Sequence, residues 1–361
     1  MIISRTPFRI SFFGGGTDYP DWYKEHGGMV LATTINKYCY LTCRYLPPFF
    51  EHNIRLVYSQ MENCLTIDDI KHPTVRETLR YLNFNRSVEI HHDADLPARS
   101  GIGSSSSFAV GLLHALHALE GRLPSKQQLS EQAIHVEQNL IKDTVGSQDQ
   151  TLAAHGGFNY VVFHQSGEIS IHPVPVSNAR LRELNAHLLL FYTGIRRTAS
   201  TIASSYVKQI AQRRRQLRLM TDLTKEALSI VASEKDISLF GELLHEGWQI
   251  KRSFSEKVSN TEVDNLYERG IKTGAIGGKL LGAGGGGFLL LFASPDRHTA
   301  IIQELDELVF VPFTIEFQGS QILFIDREED FSLLEQHNVN RKPIYRELID
   351  NADDQSFGHL A

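Results

Sequence analysis

The sequence predicts an α+β chain of two domains. Three features carry this. β-like runs, with a few helices between them, dominate up to about residue 194. The pattern from about 198 to 257 is almost entirely helical. Strand-like runs then return from Phe288 onward. The change of character near 195 marks the domain boundary, giving domains over 1–194 and 195–340 and a polar, loosely packed tail over 341–361.

With 361 residues, 42% of them hydrophobic, and 20 Phe and 12 Tyr, the chain can build a sizeable core, which excludes wholesale disorder. Its net charge of −6 argues against nucleic acid as the main partner, yet leaves room for a small anion in a local basic pocket. No apolar run is long enough to span a membrane, and the start, MIISRTPFRI, lacks the layout of a signal peptide. Three cysteines, Cys39, Cys43 and Cys64, are too few and too oddly placed for a disulfide framework, so a cytoplasmic location is expected. Cys39 and Cys43 share a strand face, but no further ligands follow them for a metal.

In order, β-like runs cover Ile2 to Phe13, Met29 to Leu46, Ile54–Tyr58 and Ser87–His91. A helix begins within serines 104–107, its buried stripe including Phe108, Leu112, Leu116 and Leu119. Ser125 and Gln128 read as a capping box opening a helix that runs to about Lys142. A short helix over Ser147 to Ala154 stops at Gly156-Gly157. Strands follow at Phe158–Phe163, Glu168–Ile171 and His187–Tyr192. After the helical stretch come a helix near 261–273, a strand at Phe288–Phe292, a helix at 296–307, and strands near 309–317 and 321–326.

Three glycine-rich clusters punctuate this order. The middle one, from Leu96-Pro97-Ala98-Arg99 through Ser100-Gly101-Ile102-Gly103 to the serines 104–107, feeds a tight turn into a helix N-terminus. There free N–H groups and the helix dipole attract an anion. It is a phosphate-cradle design without the Gly-Lys-Ser/Thr ending of a Walker A loop; a serine cap after a glycine turn is the plainer alternative. In the first cluster, Arg9 stands among apolar strand residues and needs an anionic partner, and Asp18 follows Gly14-Gly15-Gly16-Thr17, placed for a sugar hydroxyl or simply a turn. The third, Gly282 to Gly287, is costly in chain entropy, which suggests close approach to its backbone. Glu137 borders the apolar stripe of its helix and asks for a counter-charge, a metal or an arginine. Asp149 opens a short helix, where the dipole alone could favour it.

Together these clusters, in this order, resemble the GHMP kinase superfamily over roughly residues 2 to 330. The resemblance implies an N-terminal domain like the second domain of ribosomal protein S5 and a ferredoxin-like C-terminal domain. It implies ATP and Mg²⁺ as cofactors. Pro97, Gly101, Ile102, Gly103, Ser104, Ser105, Ser106 and Ser107 would wrap the nucleotide phosphates, with Ser105 and Glu137 holding the metal. Asp149 matches the acid proposed as catalytic base in some members, Arg9 the arginine near the transferring phosphate, and Gly284 and Gly285 a run that borders the substrate. Such a division of labour suits phosphoryl transfer, which needs positioning and charge neutralisation more than covalent chemistry.

Galactokinases carry Gly-Glu-His-Thr-Asp where this chain has Gly14-Gly15-Gly16-Thr17-Asp18, which argues against galactose. The triple-glycine form, with Phe191-Tyr192-Thr193-Gly194-Ile195-Arg196-Arg197, is similar to the heptose kinases of the superfamily. That implies phosphorylation of the anomeric hydroxyl of a heptose 7-phosphate, toward nucleotide-activated heptose for surface glycans. Gly15, Gly16, Thr17 and Asp18 would face the sugar, and Arg196 and Arg197 its distal phosphate, with Arg99 and Lys37 weaker candidates. The alternatives are a fucokinase-like enzyme, or a non-catalytic sensor of the same fold; sensors usually lose the metal or base residues, and Arg9, Ser105, Glu137 and Asp149 are all present here. The expected partner is a small sugar phosphate, with no nucleic acid and no membrane, and the sequence leaves the oligomeric state open. The adjacent His91-His92 point to opposite strand faces, His114 and His117 read as packing residues, and Arg213-Arg214-Arg215 as a solvated helix face.

Overall fold

The computed structural model describes residues 1–195, 213–327 and Phe331. The strands are β1 (Ile2–Phe13), β2 (Gly28–Tyr45), β3 (Ile54–Val57), β4 (Met61–Cys64), β5 (Val88–Ala94), β6 (Phe158–Phe163), β7 (Ile169–Pro173), β8 (Leu188–Tyr192), β9 (Gly277–Leu280), β10 (Phe288–Phe292), β11 (Val309–Phe310), β12 (Ile315–Glu316) and β13 (Gln321–Ile325). The helices are α1 (Pro20–His26), α2 (Pro73–Tyr81), α3 (Ser104–Leu119), α4 (Lys126–Ile134), α5 (Gln148–His155), α6 (Asn178–Ala186), α7 (Arg214–Val231), α8 (Ser238–Arg252), α9 (Thr261–Lys272) and α10 (His298–Glu304).

Two sheets organise these elements. The larger runs β13-β1-β2-β5-β3-β4, with β6 and β12 also pairing with the long β2, and β7 with β6. All its pairings are antiparallel except β3–β5. The smaller is antiparallel, in the order β11-β8-β10-β9. Sheet membership and chain order do not divide the molecule at the same place. β8 precedes residue 195 yet joins the smaller sheet, and β12 and β13 return near the C-terminal end to the larger one. The strand expected over 309–317 is two short strands in different sheets. Pro312, which has no N–H for a ladder, lies where the chain crosses between them.

The buried stripe of α3 lies on β1 and β2, and α8 lies on β9. Edge-to-face rings join the layers: Phe240 of α8 meets Phe12 at 5.5 Å and Phe13 at 5.1 Å, at the end of β1. The capping box of Ser125 and Gln128 forms, but its helix widens into π-helical turns over His135–Leu140 and ends short of Lys142. The helix expected over 296–307 is confined to α10 after a 3₁₀ turn at Pro295–Arg297. Short helices α1, α2 and α6 and strand β4 were not anticipated by the sequence pattern.

The three cysteines are free and buried, and burial pushes the Cys43 thiol up to about 12, which suits a core residue rather than a metal ligand. Among the described residues, no group of three or more His, Cys, Asp or Glu side chains converges as a metal cage. His91 pairs with Glu89, His92 packs on Phe108, His114 pairs with Ser320 and His117 with Gln132. No helix among the described residues is long and apolar enough to cross a membrane.

Candidate active site

Arg9 follows an irregularity in the β1–β2 register, between Pro7 and Phe8. Its backbone N–H donates to the carbonyl of Ile102 (3.1 Å), which ties β1 to the middle glycine cluster. The side chain is buried. Its partner is Asp149, in the first turn of α5: Nε and Nη2 donate to Oδ1 and Oδ2, each at 2.7 Å, while Nη1 donates to the carbonyl of Gly101 at 2.7 Å. The Arg9 side chain is 5% exposed and that of Asp149 24%, so the carboxylate is the member of the pair that reaches solvent.

Gly103 caps α3 with φ of 77°, a left-handed conformation that favours glycine. A Cβ there would also lie 3.1 Å from Arg9 Cγ and 3.5 Å from Asp149 Oδ2. The helix N-terminus, the guanidinium and the carboxylate therefore meet at one place. Not every residue of the cluster faces it. Ile102 is wholly buried in the core, Ser107 Oγ donates to the carbonyl of Pro7 (2.9 Å), and Ser100 Oγ donates to that of Pro97 (2.6 Å). These residues hold the loop from beneath. Arg99 is exposed, with φ of 59°, and its N–H donates to Ser104 Oγ.

Glu137 is 1% exposed and lies on the π-helical segment. It accepts from Ser105 Oγ and Ser106 Oγ, each at 2.7 Å, and from the amide of Gln150. All three donors are neutral, and burial pushes its carboxyl up to about 6. A buried carboxylate without a cationic partner, joined to the exposed hydroxyl of Ser105, is a hard-oxygen donor set that fits Mg²⁺, with phosphate oxygens and water completing the shell.

Asp18 is 2% exposed. Its Oδ1 accepts from the N–H of Gly16 (3.0 Å) and its Oδ2 from Gln148 Nε2 (2.9 Å). Burial, then the charge of Asp149, raises its carboxyl to about 6. A Cβ at Gly146 would lie 1.8 Å from Asp18 Oδ2. Since the resemblance implies that Asp18 faces the sugar, Gly146→Ala, by displacing the carboxylate, should raise the sugar KM about tenfold with little change in the KM for ATP, as read by initial rates with each substrate varied. Thr17 is fully buried, and its hydroxyl donates to the carbonyls of Gly14 (2.8 Å) and Met29 (3.0 Å), so it pins the first glycine turn. Gly15 has open space around it, whereas Gly16 lies against Leu217 and Phe254.

The third glycine run does have close neighbours, and they are backbone. A Cβ at Gly282 would lie 2.5 Å from Gly101 Cα, one at Gly287 2.1 Å from the carbonyl oxygen of Ser100, and one at Gly284 2.5 Å from that of Val258. Gly285 N–H donates to the same Val258 carbonyl (2.8 Å). Gly284 and Gly285 are therefore packed against Val258 inside the protein, while Gly282 and Gly287 brace the 97–107 loop. Arg196 and Arg197 lie outside the described residues.

Sequence reasoning missed Gln148, Gln150, Lys251 and Lys279. Both lysines are buried, Lys279 donating to the carbonyls of Ser11 (2.9 Å) and Phe12 (2.6 Å). The available signal was a lysine on an apolar stripe, as in Leu244, Trp248 and Lys251.

The chain matches two family models, GHMP kinases N terminal domain over residues 70–157 and GHMP kinases C terminal over 224–309. It is 27% identical to the D-glycero-alpha-D-manno-heptose 7-phosphate kinase of Campylobacter jejuni, over 84% of this chain and 93% of that protein. It is 26% identical to the bifunctional fucokinase/GDP-fucose pyrophosphorylase of Arabidopsis thaliana, over 83% of this chain but 31% of that longer protein. Its fold is similar to the crystal structure of a D-glycero-D-manno-heptose 1-phosphate kinase from Bacteroides thetaiotaomicron, with a TM-score of 0.74 over 91% of this chain and 100% of that one, at 22% identity.

Proposed function

The chain belongs to the GHMP kinases, and we propose that its substrate within that family is D-glycero-D-manno-heptose 7-phosphate, phosphorylated by ATP on the anomeric hydroxyl to give the 1,7-bisphosphate. It is an ATP-dependent sugar kinase. The observation that carries the choice of sugar is the similarity to the Campylobacter jejuni heptose 7-phosphate kinase along nearly the whole of both chains. The three glycines at 14–16 favour the same reading, because they leave open space at Gly15 where galactokinases carry larger side chains. The product would enter the making of nucleotide-activated heptose for surface glycans, and ATP as donor favours a cytoplasmic location.

In the reaction, a hydroxyl oxygen bonds to the γ-phosphorus of ATP as the bond from that phosphorus to the bridging β,γ-oxygen breaks. Asp149 takes the hydroxyl proton, and the ion pair with Arg9 keeps it aimed. The guanidinium and the α3 N-terminus offset charge growing on the phosphoryl oxygens. Asp18 accepts a hydrogen bond from a sugar hydroxyl. Ser105 and Glu137 would hold Mg²⁺, which when bound neutralises phosphate charge. Arg196 and Arg197 are the candidates for the 7-phosphate.

Coupled ADP release with Mg²⁺-ATP tests the sugar, using the heptose 7-phosphate, mannose, fucose, galactose and sedoheptulose 7-phosphate. The heptose phosphate should exceed mannose, fucose and galactose by at least about 10²-fold in kcat/KM, because a site built for a polar group rejects analogues lacking it, and sedoheptulose 7-phosphate, which has the phosphate but a ketose anomeric carbon, reads the reacting end separately. The second reading, a fucokinase-like specificity, is favoured by the Arabidopsis thaliana relative; turnover of fucose in preference to the heptose phosphate would establish it and discard the first.

A further inference from the structure

Lys251 has no part in the scheme above, yet it holds the glycine run that packs on the 97–107 loop. It sits in the last turn of α8, 6% exposed, on the buried stripe with Leu244 and Trp248. A methionine would fill such a position without the penalty of burying an ammonium. Its Nζ donates to the carbonyls of Gly282 and Leu280 (3.4 Å to the latter). Gly282 packs backbone to backbone on Gly101, whose carbonyl accepts from Arg9, which grips Asp149. The links from α8 to the reacting carboxylate are therefore continuous.

We propose that Lys251 is a positioning residue for phosphoryl transfer: it fixes the third glycine run against the phosphate loop, and through Gly101 it fixes Arg9 and Asp149, while placing a buried positive charge under the nucleotide phosphates. The inference rests on Arg9 and Asp149 as the reacting pair, and not on the identity of the sugar.

The charge has a consequence in pH. The groups facing Lys251 are Arg9 on β1, Asp18 in the loop after it, Asp149 on α5 and Lys279 on β9. Burial, then Arg9, pushes its ammonium down to about 8, against the pull of Asp18 and Asp149. The ammonium is thus present at pH 7 and lost as pH rises through about 8. The unfolded chain keeps its proton to higher pH, so through this group folding is favoured, not weakened, as pH rises above 8. Activity should then fall in a range where loss of this charge does not unfold the protein.

The test uses the full chain and the variants Lys251→Met and Lys251→Arg. For Lys251→Met, kcat should fall about 10- to 100-fold with the KM for ATP little changed, as for a misplaced reacting group. The alkaline limb of the kcat profile near pH 8 should vanish. By hydrogen exchange with mass spectrometry, peptides covering 97–107 and 281–288 should exchange faster than in the wild type. Lys251→Arg should recover most of kcat and move the limb to higher pH. The proposal is overturned if Lys251→Met keeps kcat within twofold, if its alkaline limb persists, or if exchange rises equally throughout the molecule. Should Lys251→Met not fold, Lys251→Arg decides: a limb unmoved from the wild-type position overturns the proposal. The exchange measurement needs no turnover, so an error about the sugar or about Asp149 leaves its outcome readable.

Discussion

Asp149→Asn should lower kcat by about 10³-fold while leaving the KM for ATP within a few-fold, the effect of removing a general base but not a binding group. The substitution keeps the side chain's size and one acceptor oxygen for Arg9. It removes the charge and the capacity to take a proton. Both Asp149 oxygens accept from the guanidinium at 2.7 Å, which fixes the carboxylate, and the 24% exposure of the side chain leaves it open toward a hydroxyl. Since the two residues work as a unit, Arg9→Met should lose a comparable amount, and the double variant little more than either single one. Losses that simply multiply would mean independent roles, and a near-wild-type kcat for Asp149→Asn would remove it as the base. Steady-state rates with ATP and sugar varied separately decide among these outcomes.

The sequence made the parts of this site visible more readily than their arrangement. Local signals carry helix α3, apolar and buried along almost its whole length, and the capping box at Ser125, because both depend on residues within one or two turns. Helices α1 and α2 are short, with polar stretches, and each has Pro at its first position, so no long apolar period announced them. The destination of strand 188–192 was not legible because sheet membership is settled by distant partners, here β10 and β11. The same limit applies to single residues. A buried arginine at position 9 announces its need for an anion, but only the folded chain brings Asp149 across 140 residues to meet it. Thr17, Ser107, Gly284 and Gly285 sit in the right motifs and turn out to brace backbone, since a motif records a position without recording which way its side chain points. Lys251 and Lys279 went unread because a lysine on an apolar stripe has the same letter as one on a solvated face.

Glu137→Gln separates stability from function at this site. The carboxyl of Glu137 is pushed from 4.5 up to about 6 by burial, so the folded state binds its proton more tightly than the unfolded state does. By linkage, folding through this group weakens as pH rises from 4.5 to 6, and at neutral pH the ionised side chain costs the nucleotide-free protein about 2 kcal/mol. The variant removes that charge without emptying the space. With the introduced carbonyl in the place of Oε1, Ser105 can still donate to it, while the introduced N–H groups can donate to the Ser106 hydroxyl and to Gln150, whose Oε1 has no partner, once that amide turns. The nucleotide-free variant should therefore melt a few degrees above the wild type at pH 7.5, with the difference shrinking below pH 6 as Glu137 itself becomes protonated. Function should move the other way, with kcat/KM for Mg²⁺-ATP falling by about 10²-fold or more as an anionic metal ligand is lost. The wild type should gain thermal stability on adding Mg²⁺-ATP, and the variant much less. A variant that is less stable without nucleotide would show that the serines and Gln150 already compensate the charge. One that keeps both its rate and its Mg²⁺ dependence would show that the metal is held elsewhere. A more stable but nearly inactive variant is the outcome expected of a buried carboxylate kept ionised for a cation that arrives with the nucleotide.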